Sequence, residues 1–316
     1  MSAAAGFSLS NGTQVRPQVP FFIAGSGRCG TTLLRRLLIE HARVVIPPEN
    51  YLLAVSPRLM AMAHGDWAAF CRLVLSNLVK HSGNWADFGI DAAAALPLFA
   101  AMPAAQRSVA KFWHAFHALY ARHIGRESTA RWGDKTPSSV DALPDIVGIF
   151  PDARFVFMVR DVFDMAYSYG SMAAAGRAGD YLGGARRWVD ANTKLLDFCG
   201  RCAAQSIIVR YETLVLDADR ELARVMAHLG IASSAANALT AVEAHDMAAQ
   251  PDLRNVLRDV HRESIGKGHM LLADDAKAAI SGIAGPLQTR LGYEPRGEVS
   301  LQSGQMSLRG AKRWSR

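Results

Sequence analysis

Short apolar runs separated by longer amphipathic stretches make up most of the pattern of hydrophobic and polar positions. The apolar runs are bounded by turn residues or charges, and they predict buried strands at 21–23, 44–46, 155–159 and 207–209. Apolar positions at helical spacing predict helices that begin near 31 and 162 and that cover 57–125, 181–199 and 217–229. Gly282, Gly285 and Pro286 predict a break in the last helical segment. Strands that alternate with helices indicate an α/β fold with a doubly wound parallel sheet.

The length and composition are those of a globular protein with room for one large α/β domain. Of the 316 residues, 50% are hydrophobic and 20% are charged. No uninterrupted apolar stretch approaches the roughly 20 residues that a membrane span needs. We predict a single domain over 20–295, a flexible N-terminus over 1–19 and a flexible basic tail over 296–316.

The cysteines and the N-terminal residues give an expectation for the cellular compartment of the protein. Four cysteines are too few for a disulfide framework, and the first 20 residues lack the basic leader and apolar core of a secretion signal. We therefore expect a cytoplasmic protein. Cys199 and Cys202 form a C-x-x-C at the end of a predicted helix, without further ligands at suitable spacing, so we predict neither a redox nor a zinc role for them.

The net charge of +7 is unevenly spread along the chain. Residues 301–316 carry four basic and no acidic side chains, which leaves about +3 for the remainder. A nucleic-acid-binding protein typically has a basic stripe through its folded part. The modest excess suits a pocket for a small polyanion at least as well, and we expect no nucleic-acid partner.

Residues 25–32, with the sequence GSGRCGTT, lie between the first predicted strand and the first predicted helix. Glycines let the backbone wrap closely around an anion, and the free amide groups at a helix start point toward it. A glycine-rich turn without a ligand is the alternative for such a segment. The arginine within the loop and the two threonines at the helix start favour the anion site.

This loop differs from the ATP- and GTP-binding loop, which reads G-x-x-x-x-G-K-[ST]. Gly25 and Gly30 have the matching separation, but Thr31 replaces the lysine and the basic residue is Arg28. The strongest predicted strand is followed by Arg160, where an aspartate would be expected to hold Mg²⁺. Both departures favour a metal-free anionic nucleotide over a nucleoside triphosphate with its metal.

With these residues the chain resembles the sulfotransferases that use 3′-phosphoadenosine 5′-phosphosulfate (PAPS). Their 5′-phosphosulfate loop carries a Lys or Arg followed by Ser-Gly-Thr, and Arg28-Cys29-Gly30-Thr31 stands in that place. The serine is replaced by Cys29, which we expect to be an unreactive small apolar residue; a thiol pKa lowered by its position at a helix start is the alternative. The resemblance implies that the nucleotide is bound here by Gly27, Arg28, Cys29, Gly30, Thr31 and Thr32.

Three further segments match the family in the same order along the chain. The resemblance implies that Arg160 and Ser168, eight residues apart, bind the 3′-phosphate. Tyr211 begins a Y-E-x-L segment and is implied to lie near the adenine. Arg262 and Lys267 lie in a basic, glycine-containing loop that is similar to the one closing over the nucleotide in the family.

Sulfuryl transfer also requires a base and cations near the leaving oxygen. The resemblance implies that Arg28 and Lys135 neutralise the charge on the oxygen that bridges the 5′-phosphate and the sulfur. Glu49 is implied to be the catalytic base, because protein-tyrosine sulfotransferases have their glutamate at this place. We expect burial to raise the pKa of Glu49 toward neutrality. Small-molecule members of the family use a histidine, so His114 and His117 are the alternative bases.

The resemblance covers roughly 20–295 and implies a P-loop-type parallel sheet flanked by helices, with helical insertions. It implies an enzyme that moves a sulfuryl group from PAPS, its co-substrate, to a hydroxyl acceptor, without a metal. The acceptor is a small molecule or a peptide with a tyrosyl, phenolic, sugar or lipid hydroxyl, and we expect the helices over 57–125 to contact it. The alternatives are a P-loop kinase that uses ATP and Mg²⁺ and a non-catalytic nucleotide-binding protein of the same fold.

Overall fold

The computed structural model describes residues 19–81, 88–126, 131–172, 180–234, 237–248 and 257–293. The predicted flexible N-terminus, apart from Val19, and the predicted basic tail lie outside these residues. The chain divides into two compact units, Met1–Arg160 with Asp190–Arg262 and Asp161–Val189 with Glu263–Arg316.

In the described part of the first unit, five parallel strands form one sheet. They are β1 (Phe21–Gly25), β2 (Val44–Val45), β3 (Arg131–Lys135), β4 (Arg154–Val159) and β5 (Ser206–Arg210). The strand order is β2-β3-β1-β4-β5, so the strand that precedes the glycine-rich loop is central. Ile23 of β1 pairs with Lys135 of β3 and with Val156 of β4.

The α-helices lie between and after these strands. Over the described ranges they are α1 (Thr31–His41), α2 (Ser56–Met62), α3 (Trp67–His81), α4 (Ala92–Ala100), α5 (Val109–His123), α6 (Leu143–Ile149), α7 (Val162–Gly170), α8 (Tyr181–Arg201), α9 (Tyr211–Leu216), α10 (Ala218–Leu229), α11 (Ala241–Ala248), α12 (Lys267–Leu271) and α13 (Asp274–Arg290). None of the helices in these ranges has the length and apolar character needed to cross a bilayer.

Four of the five strands coincide with the predicted apolar runs. Strands covered on both faces need apolar side chains throughout, and β1 and the apolar part of β4 are fully buried, so these predictions are confirmed. The sequence pattern did not predict β3, whose sequence RWGDK contains three charged residues and a glycine. Gly133 packs directly on the Phe21 ring, which a Cβ atom at this position would strike.

The described part of 57–125, between β2 and β3, is mostly helical, as predicted. It contains α2 to α5 and has an aromatic core of its own, in which the ring centroids of Phe99 and Phe112 lie 4.6 Å apart. Asp91 caps the start of α4 by accepting a hydrogen bond from the Ala93 amide, and Ser108 caps α5 in the same way. This segment joins two neighbouring strands of the sheet.

The described part of the second unit includes α7, α12 and α13. The Asp161 side chain caps α7 by accepting hydrogen bonds from the Phe163 and Asp164 amides. The predicted break in the last helix is wrong, because α13 continues through Pro286. Its apolar face remains buried at Ile280, Ala284 and Leu287, and this burial outweighs the backbone hydrogen bond that proline cannot donate.

Candidate active site

The glycine-rich loop follows β1 and leads into α1, as the sequence predicted. Gly27 and Gly30 have positive φ angles of 81° and 92°, and Arg28 has a φ of 53° in the left-handed region that few residues other than glycine adopt. A Cβ atom at Gly30 would come within 2.5 Å of the Tyr211 ring. The loop is therefore compact, and its backbone is strained at Arg28, as is common where a loop grips a ligand.

Gly30 is also the N-cap residue of α1 and brings no side chain to the first-turn amides. The backbone N–H groups of this turn have no partner inside the helix. Together with the positive end of the helix dipole, they make this position suited to an anion. Thr31 and Thr32, the first two residues of the helix, are both buried.

Cys29 belongs to the loop, and it is 0% exposed. Burial raises the pKa of its thiol, and the opposing effects of the Ser26 hydrogen bond, the Gly27 amide and the Arg160 charge do not reverse this. The alternative of a lowered thiol pKa is wrong, because the effect of burial outweighs these interactions. Cys29 is, as expected from the sequence, a small buried residue that packs against Gly25.

Arg160 and Tyr211 lie on the β4–β5 side of the loop. Arg160 directly follows β4, and its Nη1 donates a hydrogen bond of 3.1 Å to the Arg28 carbonyl oxygen. Its guanidinium carbon lies 4.4 Å from the centroid of the Tyr211 ring, a cation–π contact. Tyr211 follows β5 as predicted and is buried. Three segments that are distant in sequence thus meet at the carboxyl edge of the sheet.

Glu49 and Lys135 form a partly buried ion pair on the β3 side of the loop. Lys135 is the last residue of β3, and its Nζ lies 2.5 Å from Glu49 Oε1. The second carboxylate oxygen of Glu49 accepts a hydrogen bond from the Tyr51 hydroxyl. Because Lys135 pairs in register with Ile23, two residues before the end of β1, the ion pair lies at the same sheet edge as the loop.

The charge state of Glu49 differs from the one expected from its sequence context. Burial raises the pKa of the Glu49 carboxyl, but the charge and hydrogen bond of Lys135, assisted by Tyr51 and Arg35, lower it below its ordinary value. The expectation of a pKa near neutrality is therefore wrong. Glu49 is ionised at neutral pH.

The backbone on both sides of Glu49 is held by buried side chains. Arg35 Nε donates a hydrogen bond of 2.9 Å to the Ile46 carbonyl oxygen, and its Nη1 forms an ion pair with Asp246. On the other side, the Asn50 amide donates a 2.9 Å hydrogen bond to Thr136 Oγ1. Sequence analysis missed these residues, although a charged Arg35 within the apolar face of α1 is a signal of such a role.

Asp134 precedes Lys135 in β3 and is 1% exposed. Burial raises its pKa to about 7, against the lowering effects of the Thr136 hydrogen bond and the Lys135 charge. Its Oδ2 atom has no hydrogen-bond partner, which is costly for an ionised carboxylate. Asp134 was also missed, because β3 itself was not predicted.

The two histidines considered as bases are packed around Trp132. The His117 ring stacks on the indole with a centroid distance of 3.8 Å, and burial lowers its pKa to about 3. His114 Nδ1 accepts a 2.9 Å hydrogen bond from Trp132 Nε1, and burial lowers its pKa as well. Both histidines are therefore neutral, with His117 buried and His114 half-buried.

The second unit carries two of the predicted nucleotide ligands. Ser168 is half-buried on α7, and Lys267 is the first residue of α12. The Asp164 carboxylate accepts hydrogen bonds of 2.8 and 2.7 Å from the Gly266 and Gly268 amides, on either side of Lys267. This contact fixes the start of α12 on α7.

Arg262 is the remaining predicted nucleotide ligand, and it belongs to the first unit. It begins a short 3₁₀ helix, Arg262–Ser264, and its side chain is exposed. Its proposed contact with the nucleotide stays a prediction.

Comparisons with known proteins find similarity to sulfotransferases over much of the chain. A sequence model of the sulfotransferase family matches residues 20–235. A Caenorhabditis briggsae protein named "Putative protein-tyrosine sulfotransferase" is 26% identical over 207 residues, which are 65% of this chain. The matched segment spans 62% of that relative's length.

Two solved structures are similar in fold. The sulfotransferase domain from the curacin biosynthetic pathway has a TM-score of 0.55 and 18% identity, with 88% of this chain and 98% of that domain covered. The sulfotransferase domain of the Synechococcus PCC 7002 olefin synthase has a TM-score of 0.51 and 18% identity, with 84% and 94% covered. Since the family model matches more than half of its length, this chain belongs to the sulfotransferase family.

Proposed function

We propose that this chain transfers a sulfuryl group from PAPS to a hydroxyl acceptor, with Glu49 as the catalytic base. The observation that carries this proposal is the arrangement at one edge of the sheet. The glycine-rich loop is central, the Glu49–Lys135 ion pair lies toward β3, and Arg160 with Tyr211 lies toward β4 and β5. An anion cradle is thus flanked by a base on one side and by a guanidinium and an aromatic ring on the other.

The nucleotide fits the β4–β5 side of this arrangement. The strained loop and the first-turn amides of α1 suit the 5′-phosphosulfate, with Arg28 as the nearby cation. The Arg160 guanidinium can donate two hydrogen bonds to the 3′-phosphate, and Tyr211 offers its ring to the adenine. Ser168, Arg262 and Lys267 complete the proposed set on the strength of the resemblance alone.

The chemistry proposed for the β3 side consists of positioning and charge stabilisation. Glu49 accepts the proton of the acceptor hydroxyl as that oxygen bonds to the sulfur. The bond from sulfur to the 5′-phosphate oxygen breaks, and Arg28 and Lys135 stabilise the charge that develops on this oxygen. The products are a sulfate ester and the 3′,5′-bisphosphate. Both histidines are packed around Trp132, with His117 stacked on the indole and His114 Nδ1 occupied by its hydrogen bond, and this supports Glu49 over either histidine.

The acceptor is a tyrosyl, phenolic, sugar or lipid hydroxyl, and we assign its contacts mainly to α2–α5. These helices follow Glu49 in the chain and precede Lys135, so both ends of their segment adjoin the reacting groups. We assign the chain to the cytoplasm, an assignment that the four free cysteines support.

The proposal is tested by incubating the purified protein with PAPS and a panel of hydroxyl acceptors while the release of 3′,5′-bisphosphate is followed. Glu49→Gln removes the base but keeps the shape of the side chain, so we expect turnover to fall by about 10²- to 10⁴-fold. Calorimetry should find PAPS binding retained in this variant. Glu40→Gln, at the far end of α1, is the matched control and should keep full turnover.

Three results would contradict the proposal. Unchanged turnover in Glu49→Gln would remove the base assignment. Binding of Mg²⁺-ATP by a protein that binds neither PAPS nor the bisphosphate would favour a P-loop kinase instead. Binding of PAPS without turnover of any acceptor would favour a non-catalytic nucleotide-binding protein.

A further inference from the structure

Tyr51 presents a phenol to the proposed base from within the same loop. Its hydroxyl donates a hydrogen bond to Glu49 Oε2, while Lys135 occupies Oε1. Tyr51 is 51% exposed, which makes it one of the more exposed large hydrophobic residues in the described part of the chain. The phenol is therefore half-exposed and hydrogen-bonded to the carboxylate.

We propose that Tyr51 is itself a sulfuryl acceptor, so that the protein sulfates its own Tyr51 in an intramolecular reaction. This inference rests on the proposed function, because it uses the same donor and the same base. It goes beyond that function by naming a modification site within the chain.

The geometry meets the first requirement of general-base catalysis. A base must lie within hydrogen-bond reach of the proton that it removes, and Tyr51 satisfies this condition with Glu49 without any other molecule. The carboxylate also matches a phenol in acidity better than it matches an alcohol. Lys135 holds the pKa of Glu49 low, and a weak base is best served by an acidic hydroxyl such as a phenol, with a pKa of about 10.

The location of this pair supports access to the donor. Lys135 lies in register with Ile23, so the ion pair that Tyr51 joins is at the sheet edge from which the phosphate loop begins. Tyr51 begins the turn that leads away from Glu49 toward α2.

The reaction balances with PAPS as the sulfuryl donor. The Tyr51 hydroxyl proton passes to Glu49 Oε2, and the phenolate oxygen forms a bond to the sulfur. The bond between the sulfur and the 5′-phosphate oxygen breaks, and its electron pair leaves with the 3′,5′-bisphosphate. The product is O-sulfotyrosine at position 51, at most one per chain, with a new negative charge beside Glu49.

The experiment is to incubate the full-length protein with PAPS and no added acceptor, and to measure its intact mass. We expect a gain equal to one SO₃ group, which peptide mapping with gentle fragmentation locates at Tyr51. Tyr51→Phe should show no gain, and Glu49→Gln should show at least a tenfold slower one. Tyr181→Phe, which removes another partly exposed phenol, is the matched control and should be modified like the natural protein.

The intramolecular character is tested by protein concentration. A reaction within one chain has a rate constant that does not change when the protein is diluted, whereas a reaction between two copies slows in proportion. A modified fraction that depends on protein concentration would overturn the proposal. So would an unmodified natural protein, or a mass gain that maps to another residue or persists in Tyr51→Phe.

The failure of this inference can be separated from the failure of the proposed function. If acceptors from the panel release 3′,5′-bisphosphate while Tyr51 stays unmodified, the inference is wrong and the proposed function stands. If calorimetry finds no PAPS binding, the proposed function is wrong and the inference falls with it. The mass measurement on the natural protein is decisive even if one variant folds poorly.

Discussion

Glu49 is held between two side chains, one from the end of β3 and one from its own loop. Lys135 lies 86 positions further along the chain and contacts Oε1, while Tyr51 contacts Oε2. Burial alone would make this carboxyl a stronger base, but the lysine lowers its pKa and keeps it ionised. The reactivity of Glu49 is thus decided by a neighbour that its own sequence context does not contain.

Lys135→Met should reveal the effect of the lysine on the pKa of Glu49 as a shift of the pH profile of activity. Without the lysine charge, burial raises the pKa of Glu49, so the base becomes protonated at a higher pH and the acid limb of kcat/KM moves upward. The residual activity should also be lower, because Lys135 is proposed to stabilise the leaving group. The measurement is kcat/KM against pH for the variant and for Lys194→Met, an exposed lysine control. An acid limb that stays in place would contradict the assignment of Glu49 as the titrating base.

At the scale of elements, the end of β3 and the loop after β2 are joined by hydrogen bonds. Thr136 Oγ1 accepts the Asn50 amide hydrogen bond, and its hydroxyl also contacts Asp134. Arg35 holds the other end of the loop through the Ile46 carbonyl. These contacts explain how a short segment without regular structure can keep a carboxylate at a defined place.

Thr136→Val keeps the shape of the side chain but leaves the buried Asn50 amide without its acceptor. We expect a loss of about 1–3 kcal/mol in the free energy of unfolding. We also expect a lower kcat with an unchanged KM for PAPS, since the loop carrying the proposed base is loosened while the proposed nucleotide loop is intact. Thr136→Ser restores the hydroxyl and should recover kcat. A KM effect without a kcat effect would show that Thr136 acts on the nucleotide site instead.

The elements also show what could be predicted from sequence. The strands β1, β4 and β5 and the loop before Thr31 follow from apolar runs and glycine spacing, which are local signals. β3 could not be predicted, because its charged residues are tolerated only through partners elsewhere in the chain, such as Glu49 for Lys135. The continuity of α13 through Pro286 likewise depends on tertiary burial of its apolar face.

At the scale of the molecule, the burial of Asp134 makes stability depend on pH. Its pKa is raised to about 7, above the value of about 3.9 for an unfolded chain. The folded state therefore binds this proton more tightly than the unfolded state does. Its contribution to stability is fully present at acidic pH below the unfolded pKa, and it is lost as pH rises toward 7.

Asp134→Asn should remove this dependence. The free energy of unfolding of the natural protein should contain a term that falls by at most about 1.4 kcal/mol per pH unit between pH 4 and pH 7. The variant should lack this term, so that its stability relative to the natural protein rises with pH. Denaturant unfolding at several pH values measures it, with Asp152→Asn, an exposed residue, as the control. Parallel stability curves for Asp134→Asn and the natural protein would contradict the buried-proton explanation.

The insertion of α2–α5 between the neighbouring strands β2 and β3 has a consequence for how such proteins diversify. The helices have an aromatic core of their own, and the codons for Glu49 and Lys135 bracket them on the gene. The residues that we propose to bind the donor are encoded outside this stretch. Because we assign the acceptor contacts to these helices, we expect recombination within the stretch to replace the acceptor site as one piece and to leave the donor site of the descendant unchanged.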